Sequence, residues 1–258
     1  MTSYAFGDSA LAAERLAVVA EVFEETSRRF LERSVTSPPE LALDLGCGPG
    51  HSTRLVARTT RARRTIGIDA SLAFLELAVV DPPPPGVEFV AYDVTAAPLP
   101  GAPADLVYSR LLLAHLPDAA DQATRWMTQV APGGVLLVDE VEWIETSHPV
   151  LARYEELVVD VVALHGGASY AGPIVAAMPV PDGWTRRSDL HVVRVATADA
   201  ARMYGMNLAT WRHDPAIAQR CAPSAVDALA DDLAALGTSA RTSEITWGIR
   251  QVAFEHSG

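Results

Sequence analysis

The sequence predicts an α/β protein: a doubly wound, mostly parallel sheet of seven strands, with one helix before it and a helical cap after residue 145. Three observations carry that expectation. Short apolar runs of β character alternate with helical stretches from residue 41 to residue 139. A tight segment, Gly46-Cys47-Gly48-Pro49-Gly50, separates the first run from the helix behind it. Aspartates stand at or beside the ends of the first three runs, at Asp44, Asp69 and Asp93.

Residues 10–33 place Leu11, Leu16, Val19, Val22, Phe23 and Phe30 at helical spacing, and Ser37-Pro38-Pro39 stops the helix. Residues 41–45 read as the first strand and 52–58 as a helix; 64–69 and 72–80 repeat the pair. Prolines 82–85 form a loop before the third strand, 87–92. The fourth strand is 104–108, followed by a helix over 121–130. Pro132-Gly133-Gly134 reads as a turn into the fifth strand, 135–139. Farther on, helical stretches near 149–165 and 197–212 flank a Gly/Pro-rich segment, and 245–254 reads as a closing strand with a bend at Gly248. The expected organisation is a lid and helix over 1–36, a ligand-binding core over 37–145, a cap that binds the acceptor over 146–240, and a returning strand over 241–258.

Composition narrows the function. With 258 residues, 49% of them apolar, the chain can bury a substantial core. No apolar run approaches the roughly 20 residues that span a bilayer, and the N-terminus has neither a basic start nor an apolar h-region. A cytoplasmic location without membrane contact is expected. Two cysteines, Cys47 and Cys221, make no disulfide framework, and no ligand spacing suggests a metal. A net charge of −12 opposes a nucleic-acid partner. All 20 basic residues are arginine, so a Walker-A lysine and an internal-lysine Schiff base are excluded.

The glycine loop is the most specific signal. Its backbone can pass close to a ligand, and the helix start behind it offers unpaired N–H groups. A dinucleotide fingerprint calls for Gly or Ala where His51 stands, and Asp44 would repel a pyrophosphate. The loop suits a ligand with an ammonium group and no phosphate. Asp69, 19 residues after Gly50, can accept from two ribose hydroxyls, and Asp93 from an adenine amine. An NAD-dependent oxidoreductase is the alternative reading, disfavoured by His51 and by the lack of any lysine for a Tyr-x-x-x-Lys pair.

Residues 43–50 (Leu-Asp-Leu-Gly-Cys-Gly-Pro-Gly), Ile68-Asp69-Ala70-Ser71, Asp93-Val94 and Pro132-Gly133-Gly134 resemble the motifs of class I S-adenosylmethionine (SAM)-dependent methyltransferases. The likeness covers residues 40–140, and Tyr4 to Asp8 resemble the start of a bacterial small-molecule subset. The resemblance implies a Rossmann-like fold with SAM as cofactor and S-adenosylhomocysteine as product. It assigns cofactor contacts to Asp44, Gly46, Cys47, Gly48, Asp69, Ala70, Asp93 and Val94, and to Ser109 after the fourth strand. Arg15 is a candidate partner of the cofactor carboxylate. A SAM-binding protein catalysing another reaction is the second alternative.

The acceptor is expected to be a small molecule, plausibly an aromatic or heteroaromatic secondary metabolite methylated at C, N or O. Tyr4 and Phe6 are candidates for a lid, and Arg110, Trp143, Tyr170, Met206, Asn207 and Trp211 for acceptor contacts. His115 and Glu140 are the candidate bases, in a mechanism that is mainly positional. Nothing in the sequence separates a monomer from a homodimer.

Overall fold

The computed structural model describes residues 7–218, 221–238 and 244–258. Helix α1 (Ala10–Ser34) starts at Ser9, whose hydroxyl accepts from the Ala12 amide at 3.3 Å. It ends just before the prolines that cannot continue it. The expected alternation follows: β1 (Leu41–Leu45), α2 (His51–Thr60), β2 (Arg64–Asp69), α3 (Leu72–Ala78), β3 (Val87–Ala91), β4 (Ala104–Arg110), α4 (Ala119–Met127) and β5 (Val130–Glu145). The second half contributes α5 (Pro149–Leu164), α6 (Gly172–Ala177), β6 (Trp184–Ala196), α7 (Thr197–Trp211), α8 (Pro215–Ala218), α9 (Pro223–Gly237) and β7 (Glu244–His256).

All seven strands form one sheet in the order β3-β2-β1-β4-β5-β7-β6. Strands β1 to β5 run parallel, while β7 is antiparallel to both its neighbours. The inner strands read as nearly continuous apolar runs because both faces are covered. Phe30, Leu31, Leu55 and Val56 of α1 and α2 pack one face. Trp126 and Met127 of α4 with Val175 of α6 pack the other. A third cluster joins α1, α5, α7 and α9 through Phe23, Tyr154, Tyr204, Leu208 and Leu233.

Several expectations are corrected. Strand β6 lies inside the segment read as a helical cap. Arg186, Arg187, Asp189, His191 and Arg194 hide its apolar signal, and as an edge strand it bears only one hydrogen-bonded neighbour. Pro132-Gly133-Gly134 is no turn but part of β5. The register jumps there from Ala104↔Val130 to Leu106↔Val135, so these residues form a bulge, with Gly133 at φ +78°. The helix read over 121–130 starts earlier and ends at Met127, leaving Val130 to open the strand. Strand β7 runs straight through Gly248; the irregularity sits on its partner, between Val141 and Trp143.

Candidate active site

The glycine loop is locked by its own backbone. The Gly46 and Cys47 amides both donate to the Ile68 carbonyl, at 2.8 and 3.0 Å. Gly46 and Gly48 take φ +67° and +52°, where a side chain is strained. A Cβ on Gly46 would sit 2.7 Å from Leu112 Cδ1, and one on Gly48 3.3 Å from Leu16 Cδ1. Asp69, at the tip of β2, holds the loop from the other side. Its carboxylate accepts from the Gly48 and Ser71 amides, both at 2.8 Å, and from the Ala70 amide. Burial still pushes its pKa up against those donors. The Ser71 hydroxyl donates to Asp8 at 2.8 Å, so the segment entering α1 lies over this strand end.

Asp44 is fully buried. Its Oδ2 accepts from the Ser52 and Thr53 hydroxyls at 2.7 Å each, while Oδ1 has no partner among the described residues. Burial raises its pKa to about 6, opposed by those hydroxyls. Ser52 and Thr53 went unnoticed in the sequence, although Ser and Thr in the first turn of α2 signal side chains able to reach back to the strand. Asp93 is exposed. Its Oδ1 accepts from the Thr95 hydroxyl and amide, at 2.6 and 2.9 Å, which lowers its pKa. The Val94 carbonyl accepts from Trp126 Nε1 at 2.8 Å and Gln122 Nε2 at 3.1 Å, fixing the chain after β3. Cys47 is buried and its thiol pKa is driven up by burial, so it is a small loop residue and no nucleophile. Ser109 is buried with its hydroxyl unpaired among the described residues.

This arrangement fits SAM. A buried carboxylate oxygen without a donor can take an ammonium hydrogen bond, and the loop leaves no room for Cβ atoms. Two further carboxylates stand at the ends of β2 and β3, where open α/β sheets bind ligands.

A cavity of about 140 Å³ adjoins the loop. Arg15, Leu16 and Val19 of α1 form one wall, and His115 and Glu140 another. Tyr154 and Glu155 of α5, Tyr170, Met203, Tyr204 and Asn207 of α7, and Trp247 of β7 close it. Leu16 and Leu112 link the two sites. Leu16 lines the cavity and faces Gly48; Leu112 covers Gly46 while its amide donates to Glu140. Glu140 Oε1 accepts from the Leu112 and Leu113 amides at 2.8 and 2.7 Å; Oε2 has no partner among the described residues. Burial raises the Glu140 pKa to about 8. Burial likewise raises Glu155 to about 7, although the Tyr204 and Tyr170 hydroxyls donate to it. His115 is partly buried, and burial with the nearby Arg15 charge lowers its pKa to about 3.

The structure brings Arg15, His115, Glu140, Tyr170 and Asn207 together around this cavity. It does not bring Arg110, Trp143, Met206 or Trp211 to its wall. Arg110 lines a separate surface depression with His51, Arg54 and Arg58. Trp143 covers Gly248, where a Cβ would run into its ring. Met206 points off the face that Met203, Tyr204 and Asn207 share: at 3.6 residues per turn, Asn207 and Tyr204 lie to one side of Met203 around the helix, and Met206 lies about 60° to the other. Trp211 is buried one layer deeper, 6.1 Å from the Tyr154 ring centroid. Tyr4 and Phe6 lie outside the described residues. His165, another titratable group of this region, pairs with Asp214 at 3.3 Å. Sequence reasoning missed Tyr154, Glu155, Tyr204 and Trp247. The available signal was one acid beside a tyrosine on the mostly apolar α5, blurred by Arg153 and Glu156 next to them.

A methyltransferase-domain family matches residues 43–138. The trans-aconitate 2-methyltransferase of Methylobacterium radiotolerans is 42% identical over 109 residues, 42% of this chain and 41% of that one. The enzyme of the same name from Rhizobium etli is 34% identical over 154 residues, 55% of this chain and 59% of that one. The chain thus spans less than two thirds of the length of these relatives. Among solved structures, coclaurine N-methyltransferase bound to N-methylheliamine and S-adenosylhomocysteine aligns with 90% of this chain and 72% of its own, at a TM-score of 0.54 and 15% identity, a likeness of fold. Loop, strand-end carboxylates and sheet order agree with the family match: residues 43–138 are similar to the methyltransferase-domain family.

Proposed function

We propose that this protein transfers the methyl group of SAM to a small molecule seated in the cavity beside the glycine loop. The observation that carries the reading is the junction of the two sites: Leu16 and Leu112 each touch the loop, while Leu16 and Glu140 line the cavity. Bound SAM supplies a methyl group already activated by its sulfonium. The chain's own residues then have three tasks. Asp44, Gly46, Cys47 and Gly48 hold the amino-acid end, with Arg15 the candidate for its carboxylate. Asp69 and Ala70 hold the ribose, Asp93 and Val94 the adenine, and Ser109 the passage between. The cavity walls align the acceptor, a task worth about 7–11 kcal/mol when placement is good.

Glu140 is the better candidate for moving an acceptor proton, because its free Oε2 faces no competing donor. A base there adds about 10²–10⁴-fold. His115 stays neutral and weakly basic, which suits it to accepting a hydrogen bond. The tyrosine and tryptophan walls suit an aromatic or heteroaromatic acceptor, with a secondary metabolite the expected source. The test is calorimetry with S-adenosylhomocysteine, followed by isotope-labelled SAM in a metabolite extract. Binding and one labelled product mass are expected. No binding removes the proposal.

A further inference from the structure

The cavity opposes two buried carboxyl groups and an amide oxygen to a single cation, and we infer that it takes a ring-bearing acceptor with hydrogen-bond donors, a phenol or an amine, and rejects a tricarboxylate. This rests on the methyl-transfer reading and narrows it. Trans-aconitate, named for the relatives, carries three carboxylates. Of the residues lining the cavity, Arg15 alone is an arginine, and the chain contains no lysine. His115 is held neutral by burial and by Arg15 itself. A tricarboxylate would therefore be desolvated against a largely apolar wall with one cation to offset three charges.

The unsatisfied atoms point the same way. Glu140 Oε2 and Asn207 Oδ1 are buried and have no hydrogen-bond partner among the described residues. Trp247 Nε1 and the Ser169 hydroxyl, on the same wall, are unpaired as well among the described residues, so what completes the set is a small group that both donates and accepts, a hydroxyl or an amine. Glu155 already accepts from two tyrosine hydroxyls. The remaining wall is flat and apolar. Tyr154 stacks on Tyr204 with centroids 4.0 Å apart, and Trp247 lies 6.3 Å from Tyr204. The volume of about 140 Å³ is that of a site for one ring; an apolar cavity of about 150 Å³ accommodates benzene. Glu140 is tied to the glycine loop through Leu112, whose amide donates to it and whose side chain covers Gly46.

The full chain saturated with S-adenosylhomocysteine is tested by calorimetry and thermal shift against tyramine, 2-phenylethylamine and phenol, and against trans-aconitate and citrate. Binding of at least one ring-bearing probe is expected, with no response to either polycarboxylate. At pH 9, where the wild-type carboxyl is ionised, Glu140→Gln should weaken that probe by about tenfold or more, the scale of a hydrogen bond to a charged group. If that variant does not fold, Asn207→Leu serves as the second, with weakening of the same probe expected. Binding or methylation of trans-aconitate overturns the inference, as does silence from every ring-bearing probe while S-adenosylhomocysteine binds. Failure of S-adenosylhomocysteine itself to bind the wild-type chain would instead remove the methyl-transfer reading beneath it.

Discussion

Asp69 and Glu140 are both carboxylates on strands of one sheet, both have their pKa raised by burial, and they differ in what surrounds them. Asp69 accepts from the Gly48, Ala70 and Ser71 amides, all from the loop and helix start beside it. Glu140 accepts from the Leu112 and Leu113 amides on Oε1 and the Ala114 amide also acts on it, while Oε2 has no partner among the described residues and burial lifts its pKa to about 8. The first belongs to a half-site built by local chain geometry, the second to one built by packing distant elements. The loop is held by backbone groups close together in sequence, whereas the cavity wall is made of side chains gathered from α1, α5, α7 and β7.

The comparison breaks first at the loop. Gly46→Val should abolish S-adenosylhomocysteine binding, since its side chain enters space held by Leu112 at a φ that costs about 1–2 kcal/mol for any L-residue. Calorimetry on folded variant reads this directly; normal affinity would show that the loop is not the cradle.

The acceptor half should show itself in pH dependence. Glu140 and Glu155 have folded pKa values of about 8 and 7, above their ordinary 4.5. Between pH 5 and these values the folded chain holds protons that the unfolded chain has released, so stability falls as pH rises. The Tm of wild type should drop across pH 5–8, and Glu140→Gln should flatten the upper part of that fall. At this chain length each kcal/mol recovered is worth about 2–4 °C. An unchanged slope in the variant would mean that Glu140 is not the buried acid described.

Two smaller effects sharpen the cofactor half. Asp69→Ala should weaken S-adenosylhomocysteine by about 1–3 kcal/mol, the scale of hydrogen bonds to charged groups. Asp93→Asn should cost less, under about 1 kcal/mol, because Asp93 is exposed and Asn keeps an acceptor for Thr95. Equal losses at the two positions would contradict the contrast in their burial.

Legibility divides along the same line. Gly46, Gly48, Asp44 and Asp69 were visible because each is placed by its own strand end and the turn after it. Glu140 was visible as a residue at a strand end, though not its unpaired oxygen. Tyr154, Glu155, Tyr204 and Trp247 were not visible: they are contiguous only once α5, α7 and β7 converge. Trp143 and Trp211 lie off the cavity wall for the reverse reason: an aromatic residue suits a binding wall and a packed core equally well until its neighbours are known.

By itself, the sequence determined the parallel alternation and the loop, because backbone conformation and strand-end position depend on residues a few places apart. Only the tertiary structure decided which side chains line the cavity, that Glu140 Oε2 has no partner among the described residues, and that β6 joins the sheet. Those outcomes depend on burial and on pairings between residues as distant in sequence as Phe23 and Trp247, which no local pattern encodes.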